Sequence, residues 1–516
     1  MLNIDLISVA VASNSGSGSG DGDSFTLHLL HTNDVHSRFE PFTSRNTKCN
    51  PEELDNCFGG VARRAGFINM MKKELGEIML LDAGDQFQGT PWFYFYKGHD
   101  SSHFLNELKY QAMALGNHEF DNGVEGLRMF LGNVTVPILC SNLDLTTAPD
   151  FMKKVNERIE ITYKNHKFDV VGYITDTVVE LSKTEDLKFS NELEKVKEVV
   201  TDLVRKGSKF IIALGHAGYE ADKRMAREIP DIDIIVGGHS HTLLYHGSSA
   251  GVEGDYPTVV RHADGRRTLI VQAGTAGKWV GVLNVAFDEE GNVKSWSGNP
   301  VLMNLSIPED PAIAAQIEYL NGNLSSMFKK VLGRTDVFLD ANDKICRSQE
   351  CNIGNLFTDA MVSFFKERNA NATIAFINGG GLRGSMERGD ITYTDVITTF
   401  PFTDVIMVAE TSGRALLEAL RYSISDFNPN KEKHGKFLQV SGLKVVYNAE
   451  NENNTFVVSA KVRPDYEDIR PNATYRIITG KFLLAGGDGY TMFKGNDTRI
   501  LEFGSWNFFS VSVSVN

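Results

Sequence analysis

Phe25-Thr26-Leu27-His28-Leu29-Leu30-His31-Thr32-Asn33-Asp34-Val35-His36 is an apolar run that breaks, at its end, into residues able to hold a metal. It follows a Gly/Ser/Asp-rich stretch, Asn14 to Asp23, so it reads as a strand, Phe25 to Leu30, behind a flexible tether. Four more apolar runs end in the same way. Ile78-Met79-Leu80-Leu81 leads into Asp82-Ala83-Gly84-Asp85, and Met113-Ala114-Leu115 into Gly116-Asn117-His118-Glu119-Phe120-Asp121. Ile211-Ile212-Ala213-Leu214 leads into Gly215-His216, and Ile234-Ile235-Val236 into Gly237-Gly238-His239-Ser240-His241. Amphipathic stretches such as Glu192 to Arg205 separate the runs, an alternation that makes an α/β domain. Such sheets deliver the carboxyl ends of their strands to one crevice, where ligands bind. One histidine at one strand end reads as a hydrogen-bonded core residue, but five such ends together read as a metal centre.

The residue types indicate which metals. Histidine nitrogens and carboxylate oxygens suit zinc, manganese or iron, and a carboxylate can bridge two ions, Asp85 being the natural bridge. Asp34 and Asp85 set only two negative charges against the four positive charges of two divalent ions. The surplus would draw a phosphoryl oxygen and activate water.

With 516 residues, the chain is longer than one hydrophobic core usually supports, and 42% apolar with 23% charged residues is the balance of a soluble globular protein. A formal net charge of −14 excludes sequence-independent binding to nucleic acid or to an anionic membrane. Cys49 with Cys57 and Cys346 with Cys351 are spaced for short disulfide-closed loops rather than zinc knuckles, which leaves Cys140 behind an apolar run, buried. Seven Asn-x-Ser/Thr sites (Asn133, Asn304, Asn323, Asn371, Asn453, Asn472 and Asn496) fit a secreted protein. Leu6 to Ala12 is a short apolar run ending in a cleavage-like Ala10-Val11-Ala12, though without preceding lysine or arginine. No run of about 18 apolar residues could span a bilayer, and Phe508 to Asn516 is not a clear lipid-anchor signal. Ile313, Ile317, Leu320, Leu324 and Phe328 recur at helical spacing, and a second α/β segment follows. The expected organisation is a leader and tether (1–24), a first domain with a dinuclear site (25–305), a linker helix (306–333), a second domain (334–505) and a tail (506–516).

These elements resemble the 5′-nucleotidase and apyrase family of metallophosphoesterases. The matching motifs are His31-Thr-Asn-Asp-Val-His36, Gly59-Gly-Val-Ala-Arg-Arg64, Leu81-Asp-Ala-Gly-Asp-Gln-Phe-Gln-Gly-Thr90, Gly116-Asn-His-Glu-Phe-Asp121, Gly215-His-Ala-Gly218 and Gly238-His-Ser-His241. Asn378-Gly-Gly-Gly-Leu-Arg383 and Gly486-Gly-Asp-Gly489 extend the match to about Glu502. The resemblance implies an N-terminal α/β sandwich and a C-terminal α/β nucleotide-binding domain. It implies metal ligation by Asp34, His36, Asp85, Asn117, His216, His239 and His241, and a His118–Asp121 dyad that stabilises charge on the phosphoryl group or its leaving oxygen. Arg347 and Arg383 match phosphate contacts, Asn378 a base contact, Asp488 a ribose contact, and Phe402 with Phe482 the pair of rings that sandwich the base. The cofactors implied are two divalent ions, zinc first, with magnesium, manganese or calcium as alternatives. Domain rotation between open and closed forms is implied too, with a hinge near Leu320 to Gly333.

Two enzyme functions share these residues. A secreted 5′-nucleotidase would convert AMP to adenosine, and a salivary apyrase would hydrolyse ATP and ADP and so restrain platelet aggregation. A third, of another class, is integrin antagonism through Arg388-Gly389-Asp390, although Gly389-Asp390-Ile391-Thr392 also matches a family stretch. A cyclic phosphodiesterase or UDP-sugar hydrolase would use the same metal centre.

Overall fold

The computed structural model describes residues 25–502, apart from 50, 250, 325, 369, 403, 426, 428–434, 450–454 and 496. The expected leader (1–24) and tail (506–516) lie outside the described residues. The chain forms two compact units that divide after Asn323, with the short segments 45–47 and 89–94 grouped into the second.

Two sheets face each other in the first unit. In one, strands β1 (Phe25–Thr32), β2 (Met79–Asp82) and β3 (Ala112–Ala114) run parallel and adjacent, continued by Ile138–Leu139 and Val155–Asn156. The antiparallel strands Trp279–Phe287 and Val293–Gly298 flank the free side of β1. In the other sheet, β4 (Phe210–His216) and β5 (Ile234–Val236) lie parallel at the centre, between His166–Ile174 and Arg267–Val271. The period of two explains the packing: Leu27 and Leu29 of β1 meet Ile212 and Leu214 of β4 in the core between the sheets, all without solvent exposure. Each such leucine contributes roughly 1.5–3 kcal/mol by leaving water.

The second sheet's outer face is covered by helix Glu192–Arg205, whose Leu193, Val196, Val200 and Leu203 recur at helical spacing and are buried. Asn191 caps it, accepting a hydrogen bond from the Glu194 N–H. The helical pattern at Ile313 is realised only over Pro311–Asn323, and after residue 325 a short 3-10 turn, Ser326–Lys329, precedes strand Val331–Thr335. Asn321-Gly322-Asn323 is a run of poor helix formers, which accounts for the end of the helix there. Its length up to Asn323 belongs to the first unit, where Asp310 receives Asn69 (2.9 Å) and Tyr96 donates to the Leu320 carbonyl (2.7 Å). Gly333, the expected hinge, lies in a strand paired with Gly389–Thr392.

The second unit is built on a five-stranded sheet in which β6 (Ile374–Asn378), β7 (Ile406–Ser412) and β8 (Thr474–Gly480) carry the centre, with β8 between the other two. Phe376, Ile477, Leu416 and Leu420 fill its core. Both expected disulfides form, Cys49–Cys57 and Cys346–Cys351, and Cys140 is a buried free thiol.

Candidate metal centre and substrate pocket

All five site-bearing strands of the first unit end where the sequence places their metal-binding residues. Asp34 and His36 follow β1, Asp85 follows β2, Asn117 and His118 follow β3, His216 closes β4, and His239 with His241 follow β5. The loops turn sharply. Asp34, His36, Asp85, His239 and His241 have φ values of 50°, 52°, 57°, 76° and 57°, a left-handed region that costs a non-glycine residue energy and marks sites where geometry is imposed.

Three groups of donors converge: Asp34, His36 and His241; His36, Asp85 and His118; and Asp85, His216 and His239. The Asp85 Oδ2 lies 3.0 Å from His216 Nε2, 3.9 Å from His118 Nε2 and 4.0 Å from His36 Nε2. The Asp34 Oδ1 lies 3.3 Å from His241 Nε2 and 3.8 Å from His216 Nε2. Asn117 joins through its Oδ1, 2.9 Å from His239 Nδ1. The seven expected ligands therefore meet in one place, five of them buried and His239 and His241 half-buried.

The tautomers suit ligation. His216 Nδ1 is 2.7 Å from the Ala83 carbonyl and His36 Nδ1 3.0 Å from the Phe87 carbonyl, so each Nδ1 carries a proton and Nε2 is the nitrogen turned toward the carboxylates. His216 Nε2 is fully buried, with the Asp85 and Asp34 carboxylate oxygens at 3.0 and 3.8 Å and no well-aligned hydrogen bond among the described residues, a place that a cation would fill. Burial holds His36 well below the usual histidine range and His239 down at about 3, which keeps both neutral. Burial would raise Asp34 and Asp85, but the neighbouring histidines outweigh it, taking Asp34 to about 2 and Asp85 well below its ordinary value. Burial would likewise lower His216, yet Asp85 and Asp34 lift it to about 10, so its Nε2 holds a proton toward Asp85 that a bound cation would displace. Anionic carboxylates among buried imidazoles are a donor set that fits divalent cations.

His118 stands beside the cluster, its Nδ1 2.8 Å from Asp121 Oδ2. Asp121 also accepts from Gln88 Nε2 (2.7 Å) and Ser182 Oγ (3.2 Å), so the carboxylate that orients the ring is itself held.

The sequence did not single out Glu119. Fully buried, it accepts four backbone N–H bonds: from Gly116 (2.7 Å) and Asp85 (3.0 Å) on Oε2, and from Gln86 (2.8 Å) and Phe87 (3.1 Å) on Oε1. It ties the Asp85 loop to the Asn117-His118 turn. Asp82 does similar work one turn earlier, accepting from Thr32, Gln86 and the Gly84 N–H. A carboxylate that braces a loop and one that binds metal look alike in sequence, so neither could have been sorted without coordinates.

In the second unit, Asn378 Nδ2 donates to Asp488 Oδ2 at 2.6 Å. Burial raises the Asp488 carboxyl, while Asn378 and the charges of Arg347, Arg383 and Lys436 pull it down, which places those groups around it. The Arg383 guanidinium lies 5.3 Å from the centre of the Phe402 ring. Gly487 leaves room for the Phe482 ring, because a Cβ there would come within 2.5 Å of it. The expected substrate residues are thus drawn together around Asp488.

Three supports were missed. Asp404 accepts the Phe482 N–H at 3.1 Å and so fixes the start of helix Lys481–Leu484. Gln439 clamps the Cys346–Cys351 loop through the Cys346 and Gln349 carbonyls (2.8 and 2.7 Å) and the Cys351 N–H (3.0 Å), and with it Arg347. Lys436, which donates to Ser425 at 2.7 Å, adds a third cation near Asp488. Each lies between motifs, where no local pattern marks it.

Residues 27–243 match the family model of the calcineurin-like phosphoesterases, and residues 331–495 that of the 5′-nucleotidase C-terminal domain. The chain is 39% identical over 498 residues to the snake venom 5′-nucleotidase of Naja atra, covering 92% of this chain and 93% of that one. It belongs to the 5′-nucleotidase family. The 5′-nucleotidase of Homo sapiens is 38% identical over 495 residues, 91% of this chain and 85% of that one. Among solved structures, the 5′-nucleotidase precursor of Thermus thermophilus matches with a TM-score of 0.87 at 33% identity, covering 95% of this chain and 96% of that one. This member of the family is a metal-dependent nucleotide phosphohydrolase with the two-domain α/β architecture of its relatives. Among its described residues, no helix is long and apolar enough to cross a membrane. Its Arg388-Gly389-Asp390 tripeptide runs into a paired strand, Asp390 opposite Arg334, whose Nη1 lies 3.6 Å from the Asp390 carboxylate.

Proposed function

We propose that this chain is an extracellular 5′-nucleotidase that converts AMP to adenosine with two zinc ions. The observation that carries the reading is Asp85, one carboxylate within 4.0 Å of three imidazole nitrogens, two from the loops after β1 and β3 and one from the last residue of β4. Asp34, His36 and His241 would hold one ion and Asp85, His216 and His239, with Asn117 beside His239, the other, and a set rich in imidazole suits zinc. Two divalent ions bound there would neutralise charge on the phosphoryl group and supply an activated water.

The chain's own residues set the rest of the reaction. His118, steadied by Asp121, faces Asp85 through Nε2 and is placed to stabilise charge on the phosphoryl group or on the departing ribose oxygen. Arg347 and Arg383 grip phosphate oxygens, Asp488 takes the ribose hydroxyls, Asn378 the base edge, and Phe402 with Phe482 the faces of the base. An extracellular location is supported by the two disulfides and by venom relatives. The relatives' shared name favours a monophosphate substrate over ADP and ATP.

The test is phosphate release from AMP, ADP and ATP side by side, after chelation and return of zinc, magnesium or calcium. Zinc-restored release from AMP, with ADP and ATP slower by tenfold or more, is expected. Faster release from ADP and ATP contradicts the reading and makes the chain an apyrase.

A further inference from the structure

Asn371-Ala372-Thr373 stands at the head of β6, on a part of the second unit that the substrate pocket does not use. β6 and β8 pair in parallel from Ile374 opposite Ile477, and ahead of that point the two strands are not laddered. A cleft of about 310 Å³ lies there, lined by Asn371, Thr373, Glu410, Thr474, Tyr475 and Arg476 among others. Both defining residues of the sequon thus line one cavity.

The lining has the chemistry that holds a sugar. Arg476 is fixed by Glu410 (Nε to Oε1, 3.2 Å) and by the Ala370 carbonyl (3.4 Å), so a planar fork of donors and a carboxylate are held at the wall. The Tyr475 hydroxyl accepts from the Arg470 N–H at 2.9 Å, which anchors a half-buried ring beside them. Asn371 is exposed, makes no side-chain hydrogen bond among the described residues and has φ 47°, a conformation that asparagine tolerates better than most residues. Other sequons differ. Asn133 donates its amide to the Met129 carbonyl (2.7 Å), Asn304 accepts from the Ser306 N–H and hydroxyl (3.0 and 2.6 Å), and Asn472 is exposed without lining the cleft.

We propose that Asn371 carries an N-linked oligosaccharide whose first N-acetylglucosamine units lie in this cleft. In the attaching step the Asn371 amide nitrogen bonds to C1 of the sugar, and the C1–oxygen bond to a polyprenyl-diphosphate donor breaks. The donor leaves as the diphosphate with the proton lost by the amide. The proposal rests on the extracellular reading, since that chemistry belongs to the secretory pathway.

The test expresses the full chain in a eukaryotic secretory host and measures occupancy at each sequon by peptide mass spectrometry after enzymatic deglycosylation in heavy-oxygen water. Glycan is expected on Asn371 in the wild type and in Thr373→Ser, and none there in Thr373→Ala. Thr373→Ala should melt roughly 2–4 °C below Thr373→Ser, the shift expected for a modest packing loss in a domain of this size, with kcat/KM for AMP within about twofold. Native deglycosylation should lower the Tm of Thr373→Ser by roughly 2–4 °C more than that of Thr373→Ala, because only the former has the Asn371 glycan to lose, which separates loss of that glycan from loss of the threonine and of glycans elsewhere. A bare Asn371 beside an occupied Asn472 overturns the site. An occupied Asn371 whose removal leaves Tm unchanged overturns the placement in the cleft. No occupied sequon at all contradicts the extracellular reading, and the site falls with it.

Discussion

Replacing Glu119 by glutamine tests whether the Asp85 loop is held from behind. The carboxylate accepts two N–H bonds on each oxygen, at 2.7 and 3.0 Å on one and 2.8 and 3.1 Å on the other. A glutamine amide can serve one pair through its oxygen, but its NH₂ then faces the other pair, donor against donor. Two buried N–H groups lose their acceptor, and each orphaned group costs about 1–3 kcal/mol. The loss, about 2–6 kcal/mol, is a large part of the roughly 5–15 kcal/mol that stabilises a typical domain. If oxygen serves the Gln86–Phe87 pair, Asp85 and Gly116 are the residues released. If it serves the other, Gln86 and Phe87 move instead.

Either way the loop that carries Asp85 loosens, and a shift of about 1 Å at a reacting centre can cost on the order of 100-fold in rate. Glu119→Gln should therefore lower the Tm of the chelated protein and, at saturating zinc, lower kcat for AMP by tenfold or more in the folded fraction. Glu119→Asp keeps the charge but shortens the reach, and should fall between. A Glu119→Gln protein with unchanged Tm, zinc content and kcat would refute the bracing role.

Asp100 supplies a pH test away from the metal. Burial pushes its carboxyl up to about 7, whereas the unfolded chain ionises it near the ordinary 3.8. Between those values the folded state holds the extra proton, so stability from this group is present below about pH 4 and is lost as pH rises toward 7, by at most on the order of 4 kcal/mol. Asp100→Asn should flatten that slope in Tm against pH and raise Tm at pH 8; an unchanged slope counts against it. Phe482→Ala should raise KM for AMP about tenfold while sparing a simple phosphate ester, as expected for lost base stacking of about 1–3 kcal/mol. Arg383→Ala should weaken both substrates, and equal sensitivity of the two to Phe482→Ala would remove the ring from the pocket.

The metal centre was legible because its residues follow strands whose hydrophobicity gives them away. Asp34, Asp85 and His216 lie within a few positions of an apolar run, and the topology of a parallel sheet brings such positions together. The helix after Asp310 was only half legible, since Leu324 and Phe328 continue the spacing that Asn321-Gly322-Asn323 ends. Periodicity counts apolar residues and is blind to the low helix propensity between them. The bracing residues left no trace for a different reason. Glu119, Asp404 and Gln439 act on backbone N–H and carbonyl groups, and nothing in a sequence says which backbone groups a turn will leave unpaired.

The most direct measurement is zinc content and AMP turnover of Asp85→Asn beside the wild type. If Asp85 is the carboxylate shared by two ions, the wild type should bind two zinc ions per chain. The variant should lose at least one of them, with kcat down by a thousandfold or more. A variant that keeps both ions and its turnover would contradict the two-metal account.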